Sequence, residues 1–279
     1  MGLQNLDHFS LYKDLCQYGT SPQMCRGPKR NQRHGEIALL GGSETFGKFV
    51  RRPFAYILEE ISGEICVNLG GSDLGLDALV ADEDLLQVAD RAEHVVIQVL
   101  SAANLTNPFY RVHPRRNDRF IEPTKALRDL FPEIDFTQFH FTRHLLSALQ
   151  LESTTRFQQV VEALQVVWLR KMAVLIERYR GRVTLLWLQY DTPATRKGLI
   201  GAHTQLVDRR MVDELRPRLG GVIDISLKPA GFAGELNGNE NGPFSLPAAA
   251  QMLGQASHYE VAETLHRGLN MIGEMKRPA

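Results

Sequence analysis

The chain is short of several features that would announce a class. It has no net charge, with 32 Lys and Arg against 32 Asp and Glu, so it lacks the one-sided field that draws a protein to nucleic acid or an anionic membrane surface. Neither partner is expected. Its three cysteines, Cys16, Cys25 and Cys66, are odd in number and lack metal-ligand spacing, which excludes a disulfide framework and predicts reduced thiols. No metal and no cofactor are expected. No apolar run is long enough to span a bilayer, and Met1 to Arg33 has no signal-peptide core. Those absences predict a cytoplasmic protein. Internal repeats and low-complexity tracts are missing as well.

What is present is one concentrated signal, Gly41-Gly42-Ser43-Glu44-Thr45-Phe46-Gly47, directly after the apolar run Ile37-Ala38-Leu39-Leu40. A strand feeding a glycine-rich turn that presents one hydroxyl suits two site types. A phosphate-binding P-loop needs Gly-x-x-x-x-Gly-Lys followed by Ser or Thr, with a helix starting at once. Gly42 to Lys48 has that spacing, but Phe49 follows, and the helical apolar pattern of Phe54, Ile57, Leu58 and Ile61 opens only at Pro53. A nucleophilic serine needs only a tight turn at the carboxyl end of a strand, with partners from other loops. Ser43 fits that requirement better, and nucleotide binding stays as a third reading.

Five short apolar runs read as strands, Ile37–Leu40, Ile65–Leu69, Val95–Leu100, Val183–Leu188 and Val222–Leu227. Each has the length of a buried parallel strand, and helical patterns separate them. Phe54–Ile61, Leu85–Ala92 and Tyr259–Met271 are the clearest shorter helices. The segment Thr154–Tyr179 sets Phe157, Val160, Val161, Leu164, Trp168, Met172, Leu175 and Ile176 on one side, with Ser153 as its cap. This alternation predicts an α/β fold, a doubly wound, flavodoxin-like three-layer sandwich with a five-stranded parallel sheet. Residues 1–35 read as an N-terminal extension and 36–279 as one domain. An insertion of loops and short helices is expected at about 105–153, because that gap exceeds an ordinary crossover. Phe232–Pro243, rich in Gly and Asn, reads as a loop.

Each strand end offers something to Ser43. Asn68-Leu69-Gly70-Gly71-Ser72-Asp73 makes a second glycine-rich turn, whose N–H groups suit an oxyanion. Asn104, after the third strand, would add an amide donor. The backbone N–H groups of Ser43 and Asp73, with the Asn104 side chain, would make a three-donor hole.

On these blocks the chain resembles the SGNH, or GDSL-like, hydrolase superfamily, with the clearest likeness over residues 36 to 104. The resemblance implies a serine attacking an ester carbonyl, with Ser43 as nucleophile and Asp73 and Asn104 in the hole. Asp73 stands where the family usually has glycine, so the N–H remains but the permissive conformation is expected to be lost. The family's last block, Asp-x-x-His, is not intact. Its acid position would be Gln255, and the histidine of that segment is His258, in Gln255-Ala256-Ser257-His258. His258 is therefore the candidate base. The capping-box pattern Ser257-x-x-Glu260 alternatively makes it a surface residue in the first turn of the last helix, where the dipole lowers its pKa.

The insertion holds a second signal, Arg111-Val112-His113-Pro114-Arg115-Arg116-Asn117-Asp118-Arg119-Phe120. Its arginines suit bidentate binding of a carboxylate, phosphate or sulfate. Gly70, Gly71, His113, Arg115, Arg116 and Arg119 are accordingly candidate substrate contacts. A solvated loop paired with Glu122 and Asp129 is the bland alternative. His140 and His144 in Phe139-His140-Phe141-Thr142-Arg143-His144 share one helix side, but a metal would need a third ligand. Both segments also resemble landmarks of a divergent proteobacterial group with an SGNH-like core.

Three functions follow as expectations: a serine esterase, acyltransferase or deacetylase acting on a small or carbohydrate-borne ester; a noncatalytic module holding an anionic sugar or similar ligand; and a P-loop-like nucleotide binder.

Overall fold

Alternation along the strands explains how the sheet acquires two buried faces. A computed structural model describes residues 15–30, 36–236 and 245–275. Two short N-terminal strands, β1 (Leu15–Cys16) and β2 (Cys25–Arg26), precede the central ones. Those are β3 (Ile37–Gly41), β4 (Cys66–Gly70), β5 (His94–Gln98), β8 (Val183–Tyr190) and β9 (Gly221–Leu227). They form one parallel sheet in the order β4-β3-β5-β8-β9, with Ile37 opposite Cys66 and His94. Side chains on a strand point alternately to opposite faces. Ala38 and Leu40 of β3, Val95 and Ile97 of β5, and Leu185 and Trp187 of β8 therefore enter one core, while Ile37, Leu39, Val96, Leu186 and Leu188 enter the other.

Helices cover both faces, giving three layers. The first face lies under Thr154–Arg178, whose stripe Val160, Leu164, Trp168 and Met172 is fully buried. Burying each such side chain contributes roughly 1.5–3 kcal/mol. Ser153 caps this helix, accepting from Arg156 N–H at 3.3 Å, and Trp168 Nε1 donates to Leu100 O at 2.8 Å, tying the helix to the segment that follows β5. Phe54–Ser62 and Gln255–Met275 cover the second face. The edge strand β9 alternates buried Ile223, Ile225 and Leu227 with exposed Asp224 and Ser226 rather than being buried throughout.

The insertion contains the hairpin β6 (Tyr110–Val112) and β7 (Phe120–Pro123), then the helices Lys125–Leu130 and Thr142–Glu152. The described part of the N-terminal segment packs onto the sheet. Tyr18 and Cys25 are buried in the first core. The fully buried Arg26 guanidinium donates to the carbonyls of Gly47 at 3.0 Å, Val50 at 3.3 Å and Arg51 at 3.2 Å. Of the loop expected at Phe232–Pro243, Phe232 and Ala233 close a helical turn, Ala230–Ala233, and residues 237–243 lie outside the described residues. The described cysteines are free thiols, and burial raises the pKa of each. Among the described residues no helix is long and apolar enough to cross a membrane.

Candidate active site

The serine turn is held by side chains that the sheet itself supplies. β3 ends at Gly41, and Ser43 opens a single helical turn, Ser43–Phe46, closed by Gly47 at φ +74°. Gln98, the last residue of the neighbouring β5, points its Oε1 into this turn. That oxygen accepts from Gly42 N–H at 3.1 Å, Thr45 N–H at 3.3 Å and Thr45 Oγ1 at 2.7 Å. On the other side, Asn68 Nδ2 donates to Thr45 O at 2.8 Å while its Oδ1 accepts from Gly70 N–H at 3.0 Å. Gly70 must be glycine, since a Cβ there would lie 2.3 Å from the Phe46 backbone nitrogen.

This bracing removes the phosphate cradle. The Gly42 and Thr45 amides that a phosphate would need are already occupied by Gln98, and Lys48 Nζ turns to the Asp73 carboxylate at 3.1 and 3.2 Å. A P-loop binds through free amides at the start of a helix that continues; here the helix ends after one turn.

Asp73 stands beside the serine. Its backbone N–H donates to Ser43 Oγ at 2.9 Å. Contrary to the expectation from sequence, the permissive conformation is kept, for Asp73 has φ +61°. Non-glycine residues seldom take this region, although Asp tolerates it better than most, and such outliers persist only where the surroundings over-determine them. The surroundings here are the Lys48 ion pair, a Ser72 hydroxyl at 3.3 Å and Arg116 at 3.7 Å.

Ser43, Asp73 and Asn104 line one cavity of about 750 Å³ at the carboxyl ends of the strands. Asn104 Oδ1 accepts from Thr142 Oγ1 at 2.5 Å, so its acceptor is committed to the insertion and its Nδ2 is the end left to donate. Glu44 lies in the same cavity, with Oε2 accepting from Gln98 Nε2 at 3.0 Å and Oε1 from Tyr190 Oη at 2.9 Å. Burial, then the adjacent Glu44 carboxylate, pushes the Tyr190 phenol well up, so it stays a donor.

Other expected members are directed elsewhere. His258 is fully buried in the second core, away from the cavity lining, where its ring stacks on Phe54 at 5.6 Å and its Nδ1 accepts from Phe54 N–H at 3.1 Å. Burial, and secondarily the charge of Arg26, lowers its pKa to about 3. It does lie in the first turn of the last helix, which begins at Gln255, but it is buried rather than at the surface, and Ser257 Oγ donates to Glu235 at 3.2 Å rather than forming a capping box with Glu260. Gln255 exchanges hydrogen bonds with the Arg52 backbone at 3.0 and 2.8 Å. The amides of Gly70 and Gly71 are taken by Asn68 and by Gly41 O at 3.1 Å, and neither glycine lines the cavity.

His113 and the arginines of the loop at 111–120 likewise stay outside the lining. His113 Nδ1 accepts the Arg115 and Arg116 N–H groups at 3.2 Å, Arg116 reaches Asp73 and Asp118, and Arg119 lies over the Phe141 ring at 4.1 Å. Arg111 pairs with Glu122 as the bland reading expected, whereas Asp129 pairs with Lys125. The buried Asn117 locks the loop to the next layer, accepting from Ala78 N–H at 3.0 Å and donating to His113 O at 2.9 Å. His140 and His144 are exposed, and among the described residues no group of three or more His, Cys, Asp or Glu is placed to hold a metal.

Asp118, Arg143 and His203 are among the cavity residues that the sequence reading did not single out. Asp118 comes from within the arginine loop, and burial followed by the Asp73 charge raises its pKa. Arg143 comes from the helix Thr142–Glu152. His203 comes from the connection between β8 and β9; its Nε2 is 2.8 Å from Gln251 O, and its ring packs on Tyr190 at 4.3 Å. Burial lowers its pKa. Its one sequence signal was a place after a predicted strand.

A family model described as "Domain of unknown function (DUF6473)" matches residues 1–273. Comparison with curated proteins gives no match. Among solved structures, a two-domain esterase active on acetylated mannans is 15% identical with TM-score 0.41, over 89% of this chain and 52% of that one. A lipase/acylhydrolase from Enterococcus faecalis is 13% identical with TM-score 0.40, over 87% and 96%. A family two carbohydrate esterase from Cellvibrio japonicus is 12% identical with TM-score 0.41, over 90% and 64%. The chain thus spans about half the length of the first of these and under two thirds of the last.

Proposed function

For this chain, which belongs to the family described as a domain of unknown function, DUF6473, we propose an SGNH-like serine hydrolase in which Ser43 attacks the carbonyl of a small or carbohydrate-borne ester. The observation that carries the reading is the Asp73 N–H on Ser43 Oγ at 2.9 Å, with Asn104 lining the same cavity. A donor already aimed at the nucleophile lies close to where a tetrahedral oxyanion develops. Asn104, its acceptor occupied by Thr142, supplies a second donor. Preorganised donors of this kind contribute about 2.7–4 kcal/mol each to the transition state.

Acyl transfer to another hydroxyl uses the same first step, and deacetylation is its hydrolytic form. The experiment is a panel of short-chain aryl esters and acetylated sugars, assayed with wild type and Ser43→Ala. Turnover by wild type with a loss of at least about 10³-fold in the variant is expected; equal rates would remove Ser43 as nucleophile.

The second reading, a noncatalytic module for an anionic sugar or similar ligand, draws support from the burial of His258 and the commitment of Gln255 to Arg52. Binding of acetylated or acidic sugars by calorimetry, with no turnover of any ester, would favour it.

A further inference from the structure

A serine needs a group to take its proton, and the histidine expected for that task is sealed in the second core. The cavity itself narrows the candidates. Glu44 has both carboxylate oxygens committed, to Gln98 and to Tyr190. The Asp73 carboxylate is paired with Lys48, and Tyr190 is spent as a donor to Glu44. Asp118 and His203 are left.

We infer that His203, carried on the connection between β8 and β9, is the general base of this site, in place of a histidine from the segment before the last helix. The inference rests on the proposed role of Ser43. With Nε2 facing the Gln251 carbonyl at 2.8 Å, that nitrogen must carry the hydrogen, which places the lone pair on Nδ1. A backbone carbonyl thus fixes the tautomer, the task an acid performs in a triad. Tyr190 fixes the ring from one side, 4.3 Å between centroids at 35°, and its hydroxyl in turn holds Glu44, the neighbour of Ser43 in sequence. Desolvation keeps the imidazole neutral, opposed by the Gln251 carbonyl and then by the Glu44 charge.

The step balances. The Ser43 O–H bond breaks, its proton passes to His203 Nδ1, and the oxygen's electron pair forms the bond to the acyl carbon while the carbonyl π pair moves onto its oxygen, facing the Asp73 and Asn104 donors. As the tetrahedral species collapses, the C–O bond to the leaving alcohol breaks and the imidazolium returns the proton to that oxygen. Asp118 is the competitor, since its Oδ1 is buried with no hydrogen-bond partner and only Arg116 at 3.9 Å.

The test follows the rate of labelling by a fluorophosphonate in wild type, Ser43→Ala, His203→Ala, His203→Gln and Asp118→Asn, with and without added imidazole, and with urea midpoints to establish folding. Removing a general base lowers the rate about 10²–10⁴-fold. Both His203 variants should fall by that much, and imidazole should restore His203→Ala, which leaves room for it, but not His203→Gln. Rescue separates a base from a residue that merely shapes the loop. Wild-type rates in His203→Gln, or loss in Asp118→Asn with His203→Ala unaffected, overturn the inference while leaving Ser43 in place. Wild-type protein that never labels, or labelling unchanged in Ser43→Ala, overturns the nucleophile reading and this inference with it.

Discussion

Asp73 shows that a residue other than glycine can present a backbone donor from positive φ. Its φ of +61° costs about 1–2 kcal/mol for an ordinary residue, and the salt bridge to Lys48 offsets part of that. Asp73→Gly, which keeps the N–H and relieves the strain, is therefore expected to retain ester hydrolysis within a few-fold and to change stability by no more than about 1 kcal/mol. Asp73→Val, whose branched side chain resists positive φ, should lose most of the activity. Rates and urea midpoints for the two variants check this; equal loss in both would mean that the carboxylate rather than the N–H matters. At this scale the placement of Ser43 and Asn104 was legible, since two turns that each follow a strand of one sheet bring them to one cavity. The sequence was misleading for His258, because local spacing near a helix start does not reveal that the side chain faces Phe54 of the neighbouring helix. His203 was silent for the opposite reason, lying in a loop without periodicity that tertiary packing alone brings to the cavity.

Among elements, the ends of neighbouring strands set the geometry of the turn. Gln98 closes β5 and satisfies three donors of the turn that follows β3. Removing it leaves buried polar groups unpaired, at about 1–3 kcal/mol for each group that water cannot reach. Gln98→Ala is thus expected to lower unfolding free energy by at least about 1 kcal/mol and to slow labelling of Ser43, measured by urea denaturation and by the rate assay. An unchanged midpoint would mean that water replaces the amide and the turn holds itself. The five strands were readable as short apolar runs because parallel strands buried on both faces need no polar alternation. β9 was readable only as a run; its exposed Asp224 and Ser226 follow from an edge position that one sequence does not display. The insertion was legible as a length anomaly, whereas its delivery of Asp118, Thr142 and Arg143 to the cavity was not, since that depends on how Asn117 locks the loop.

For the molecule as a whole, the two-faced sheet puts Ser43, Asp73 and Asn104 above the strand ends and a neutral histidine inside the second core. His258 has a folded pKa near 3, below the roughly 6.5 of an unfolded histidine. The unfolded chain takes up the proton first as pH falls, so this contribution is complete above about 6.5 and is lost progressively towards pH 3, at about 1.4 kcal/mol per pH unit. Unfolding free energies measured from pH 7 to pH 4 should show that acid slope, and His258→Asn, which keeps an acceptor for Phe54 N–H, should flatten it. An identical slope in the variant would show that His258 does not stay neutral when buried. Layering, and with it the site's place at the carboxyl edge, could be reasoned from strand and helix alternation; which layer each histidine joins could not.

The central claim is that Ser43 is the nucleophile, and intact-protein mass spectrometry after incubation with a fluorophosphonate tests it most directly. One adduct per chain, mapped by digestion to the peptide carrying Ser43 and absent from Ser43→Ala, is the predicted result. An adduct that persists in Ser43→Ala, or wild-type protein that stays unmodified, would contradict it.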